Sequence, residues 1–132
     1  MIGDVGFIHL RVHSAYSLLE GALPLVKALK LALADNQPAL AITDTGNLFC
    51  ALEFSEKAIE KGLQPIIGCQ MAVDFGDDSP DRRRPGGLPP ALPSIVLIAA
   101  TSEGFANLTV LMSRSFMESE PGAPANLPIG RF

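Results

Sequence analysis

The stretch PALAITDTGNLFCALEF, residues 38–54, changes its period halfway through. PALAIT (38–43) is a continuous apolar run, the pattern of a short strand covered on both faces. Asp44 to Asn47 follow as a turn containing Gly46, and Asn47 is placed to cap what comes next. Residues 48–61 then repeat at helical spacing, with Leu48, Leu52, Ser55 and Ile59 as the predicted buried stripe. Glu53 and Lys57 make a favourable i,i+4 pair on that helix, and Gly62 ends it. A strand, a tight turn and a helix in succession open a βαβ unit.

The flanking segments extend the same rhythm. QPIIGCQMAV (64–73) reads as another buried strand. Upstream, residues 23–35 read as a helix with Pro24 in its first turn and Val26, Leu29 and Leu33 on one face, stopped by Asn36 and Pro38. FIHLRV (7–12) alternates apolar and polar residues and is predicted to be a strand. Downstream, SIVLIAA (94–100) reads as a fourth strand, and 103–118 as a helix with Phe105, Leu108, Met112 and Phe116 buried. Between them, 74–93 is dense in Pro, Gly and charge and reads as a loop insert; 119–132 reads as a loose tail. The order β-α-β-α-β-loop-β-α predicts a parallel sheet or barrel, with ligands at the carboxyl ends of its strands.

Composition narrows the function. The 132 residues are 48% apolar and 18% charged, enough for one domain with a core and too apolar for disorder. The net charge is −4 and no Lys/Arg stripe tracks the sequence, so a surface that grips nucleic-acid phosphates is not expected here. The run Arg82-Arg83-Arg84 is expected to be solvated. Cys50 and Cys69, with no CxxC spacing and apolar neighbours, are expected to be buried reduced thiols. The start of the chain lacks a basic region before an apolar stretch, so no signal peptide is expected. No apolar run approaches the ~20 residues a membrane span needs.

Four motifs carry a family resemblance. FIHLRVHSAYSLLEGA (7–22), PALAITDTGNLFCALEF (38–54), GLQPIIGCQ (62–70) and SIVLIAATSEGFANLTVLMSRSF (94–116), in this order, resemble the PHP (polymerase and histidinol phosphatase) domain that opens the α subunits of bacterial DNA polymerase III. The resemblance implies a distorted (β/α)7 barrel, of which 1–118 would be roughly the first half. It also implies a DNA-directed DNA polymerase, a nucleotidyltransferase of the bacterial cytoplasm, whose Mg²⁺-dependent catalytic region and main DNA contacts lie beyond this segment. Half a barrel leaves strand edges unpaired, so self-association through them is expected.

PHP domains with a working site hold divalent metals that activate a water against a phosphoester, an activity that polymerases of the family use for 3′–5′ proofreading. Matched to this chain, the family's metal-site positions are Arg11, His13, Glu20, Thr45, Gln70 and, through the less firmly aligned region before 94–100, Ser94. Arginine offers no lone pair and keeps its charge. Beside a divalent ion at ~4 Å it costs several kcal/mol. Thr45 and Gln70 replace a histidine and an acid, and Asp44 is expected to shape the turn or support ligands from behind. The resemblance therefore implies a degenerate site with no metal and no catalytic residue in this segment. The Arg11 guanidinium would fill the vacated space and pair with Glu20 or Asp44. Such a domain would dock the proofreading exonuclease subunit ε within the holoenzyme. The alternative is one Zn²⁺ or Mn²⁺ at His13 supporting residual phosphoesterase, exonuclease or pyrophosphatase activity. His9 is not expected to be a ligand, and Tyr16 is expected to pack beneath the turn.

Overall fold

The computed structural model describes residues 6–76 and 92–132. Most of the predicted 74–93 insert, with Arg82–Arg84, lies outside them. The described chain forms α1 (Leu25–Ala34), β1 (Ala39–Thr45), α2 (Ala51–Glu60), β2 (Gln64–Asp74), β3 (Ser94–Ile98), α3 (Ser102–Met117) and β4 (Asn126–Pro128). These make a mixed α/β fold around one four-stranded sheet.

The opening stretch folds as its pattern predicts. β1 is buried from Ala39 to Asp44 and runs parallel to β2, with Ala39 opposite Gln64 and Thr45 opposite Gln70. Helix α2 makes the crossover between them. Both α1 and α2 end in the same way. Asn36 (φ 54°) and Gly62 (φ 72°) take the left-handed conformation. The next residues, Gln37 and Leu63, reach back with their N–H groups to the carbonyls of Ala32 and Ala58. This satisfies carbonyls that the helix end leaves open. Gly68 is required by close approach, since a Cβ there would lie 2.5 Å from the Leu97 carbonyl oxygen.

The sheet departs from the expected parallel order at β3, which runs antiparallel to β2, with Gly68 opposite Ile98 and Ala72 opposite Ser94. The reason was present in the sequence. Parallel neighbours need a crossover element, whereas antiparallel ones need only a loop. The 74–93 stretch has no helical pattern. β3 also ends at Ile98, two residues before the predicted end.

Residues 7–12 do not form a strand. They lie along β1, where the carbonyls of His9 and Val12 accept hydrogen bonds from the N–H groups of Ala41 and Thr43. Three residues on one side span two on the other, so no regular ladder is possible. The tail expected to be loose carries β4, which pairs parallel with β2 and buries Leu127 completely.

The helices pack on one face of the sheet in two clusters. Leu25, Ala28, Leu29 and Ala32 of α1 meet Leu40 and Ile42 of β1 and Phe54 and Ala58 of α2. Cys69 and Met71 of β2 meet Leu108 and Met112 of α3 and Leu127. Phe54 and Leu29 are fully enclosed, each contributing about 1.5–3 kcal/mol by burial. The buried stripes differ from those predicted. Val26, Leu33, Leu52, Ile59, Phe105 and Phe116 are exposed, while Ala28, Ala32, Ala51 and Ala58 face the core. Small side chains let a helix axis approach the sheet closely, so α1 buries Ala28 and Ala32 beside Leu25 and Leu29, and α2 buries Ala51 and Ala58 beside Phe54, leaving Val26, Leu33, Leu52 and Ile59 outside. In α3, Leu108 and Met112 are buried as predicted, and Ser115 takes the place expected for Phe116.

Candidate functional site

Loop 13–21 lies over the carboxyl end of β1, and Asp44 fixes it there. Asp44 is 1% exposed. Its Oδ1 accepts from the Ser14 N–H (2.6 Å) and the Ser17 hydroxyl (2.7 Å). Its Oδ2 accepts from the Ser14 hydroxyl (2.7 Å) and the Cys50 thiol (3.2 Å). A buried carboxylate is tolerable when its lone pairs are filled in this way. Ser17 Oγ also accepts from the Thr45 N–H, and its carbonyl receives the N–H groups of Glu20 and Gly21. Gly21 closes the loop so tightly that a Cβ would lie 2.1 Å from the Ser14 carbonyl oxygen. Asp44 is thus saturated by four donors and has no lone pair directed at the rim of the sheet.

A second group sits at that rim. Gln70, the β2 residue opposite Thr45 at the end of β1, presents Oε1 to Arg11 Nε (3.0 Å) and His13 Nε2 (3.2 Å). Arginine can only donate, so this atom is the acceptor and His13 donates through Nε2. His13 Nδ1 faces Glu20 Oε2 at 3.3 Å, and the Thr45 hydroxyl donates to the same oxygen. Five of the six predicted positions, Arg11, His13, Glu20, Thr45 and Gln70, therefore form one connected chain of contacts. Ser94 does not join it. It pairs with Ala72 at the start of β3, is exposed, and shares none of the hydrogen bonds that join the group among the described residues.

The expected partner of Arg11 is corrected. Among the described residues Arg11 makes no ion pair with Glu20 or Asp44. Asp44 is enclosed and already saturated, and Glu20 is engaged by His13 and Thr45, so Gln70 is the acceptor within reach. Tyr16 is corrected as well. It is 42% exposed, stands edge-on to Phe49 at 6.4 Å between ring centres, and its hydroxyl donates to Glu53. Ser14 and Ser17 were missed by sequence reasoning. Their signal was a pair of hydroxyls three residues apart in the loop that faces a strand-end aspartate. Asn47 does not cap α2 as expected: its Oδ1 accepts from the Phe49 N–H within the turn, while the helix begins at Ala51 with Cys50 at its N-cap and no side-chain cap.

The two cysteines are free and buried. Burial pushes the Cys50 thiol up to about 12, with the hydrogen bond and charge of Asp44 adding to it. Burial likewise raises Cys69 to about 11. Neither is poised as a nucleophile. At the rim, a divalent cation would meet one imidazole, one carboxylate and a guanidinium. Among the described residues no group of three or more His, Cys, Asp or Glu side chains is arranged to hold a metal ion.

The family model for the PHP domain matches residues 9–127. The chain belongs to the PHP domain family. The DNA polymerase III α subunit of Caulobacter vibrioides is 42% identical over 123 residues, which is 90% of this chain and 10% of that protein. The α subunit of Rickettsia prowazekii is 40% identical over 114 residues, 86% of this chain and 9% of the relative. This PHP domain thus spans about a tenth of the length of the curated relatives it matches. Among solved structures, an amidohydrolase from Chromobacterium violaceum, with bound sulfate and no metal, superposes with a TM-score of 0.55 at 21% identity. The match covers 89% of this chain and 40% of that one, and it establishes the shared fold.

Proposed function

We propose that this PHP domain is the N-terminal part of a bacterial DNA polymerase III α subunit, forming roughly the first half of a distorted (β/α)7 barrel. In that protein it serves DNA replication in the cytoplasm as a structural module and docks the proofreading exonuclease subunit ε. DNA synthesis, with its Mg²⁺, belongs to the region beyond. The 37–42% identity to α subunits supports the assignment. One observation carries the inactive reading: Arg11 and His13 are both spent on Gln70, and His13 is spent again on Glu20. The residues at the metal positions bind one another, and a guanidinium stands among them. This donor set does not fit a metal cluster, so no catalytic step is routed through one.

Metal analysis of the purified chain after incubation with Zn²⁺ and Mn²⁺ tests this. The expected result is far less than one ion per chain and no hydrolysis of a phosphoester or of pyrophosphate. One ion per chain, with hydrolysis abolished in His13→Ala, overturns it. Docking is tested separately by co-elution with purified ε, and absence of a complex at tens of micromolar overturns that part. The second reading, one ion held at His13, draws on the 3.3 Å approach of His13 to Glu20. It would have to do without Asp44, whose oxygens are filled.

A further inference from the structure

We propose that the outer edge of β3 pairs antiparallel with β3 of a second copy of this chain, making a closed two-fold dimer. This deepens the reading above, in which the first half of a barrel leaves strand edges unpaired, and concerns the 132-residue chain. The register of β3 shows which groups are free to do so. Val73 N–H donates to the Pro93 carbonyl, and Ala99 N–H donates to the Ile67 carbonyl. Odd-numbered residues from 93 to 99 therefore turn their backbone groups toward β2. Ser94, Val96 and Ile98 turn theirs outward, and among the described residues no other backbone meets that edge.

The edge is suited to a copy of itself. SIVLI contains no charge, no proline and no bulge, so it lacks the devices that protect edge strands. Antiparallel pairing centred on Val96 sets Val96 against Val96 and Ser94 against Ile98, with no like charges opposed. Every outward N–H of both strands then finds a carbonyl. The side chains of Val96 and Ile98 fall on the sheet face opposite Leu97, Cys69 and Met71, and so away from α3. Ile98 is 42% exposed there, and pairing would cover it. At the other side of the sheet, residues 7–12 lie along β1. Antiparallel pairing of β3 with its own copy is two-fold and uses up the same edge on both molecules, so it gives a dimer that closes rather than a growing fibre.

Sedimentation and residue-resolved amide exchange on the 132-residue chain test this. The expected result is a concentration-dependent species of twice the monomer mass. In it the Ser94, Val96 and Ile98 amides gain protection, while Ile95 and Leu97 are protected at every concentration. Val96→Pro removes one outward N–H from each strand and leaves the ladder to β2 intact, as proline on an edge allows. It should weaken association at least about tenfold. Persistent protection of Ile95 and Leu97 reports that this variant is folded. Val96→Lys opposes two like charges while keeping the amide, and should weaken association similarly. The proposal is overturned by a chain that stays monomeric at several hundred micromolar. It is overturned equally if the even-numbered amides are protected at all concentrations, or if both variants dimerise as tightly as the parent chain.

Discussion

Two carboxylates that hold loop 13–21, Asp44 from the end of β1 and Glu20 within the loop, have opposite surroundings. Asp44 is 1% exposed and receives four donors, all neutral. The Glu20 side chain is 47% exposed and shares one oxygen between a histidine and a threonine. Asp44 is architecture. Arg11, Thr45 and the buried Gln70, the positions proposed above to have lost metal ligands, join the group around Glu20. A change in that group would leave the loop standing. Losing Asp44 would release the loop itself.

That contrast is sharpest in mutation. Asp44→Ala strands Ser14 N–H and two hydroxyls in a buried site, and should cost about 3–5 kcal/mol in denaturant unfolding. A cost below 1 kcal/mol would break the comparison. The Cys50 thiol reports on the same region. Held at about 12 against an ordinary 9.0, it should react with an alkylating agent at pH 8 roughly a thousandfold more slowly than a free thiol. The sign of the pH effect follows. Unfolded thiols ionise above pH 9 while the folded ones remain neutral, so stability is complete below pH 9 and falls as pH rises toward 12. Flat stability across that range would contradict it. The rim should respond least. Gln70 is itself buried, but its partners Arg11 and His13 reach solvent, so Gln70→Ala removes two hydrogen bonds and should cost about 1–2 kcal/mol.

Much of this was legible before folding. The strand-turn-helix of 38–61, both helix stops and the Glu53–Lys57 pair follow from spacing and from Asn36 and Gly62, because they depend on residues near one another in the chain. The candidate positions were legible through their motifs. Which helix faces are buried was not. Apolarity marks Leu52 and Ile59 as core, whereas the room beside the sheet selects Ala51 and Ala58. The hydrogen-bond partners within the site were not legible either, since Arg11 and Gln70 are 59 residues apart.

The sequence by itself determined the elements, their turns and the family, because local periodicity and motif spacing are carried by neighbouring residues. Only the tertiary structure decided that Asp44 is filled by Ser14, Ser17 and Cys50, and that Arg11 spends its Nε on Gln70. Each of these depends on which acceptor lies within about 3 Å once distant segments meet, and that distance is set by packing rather than by any residue alone.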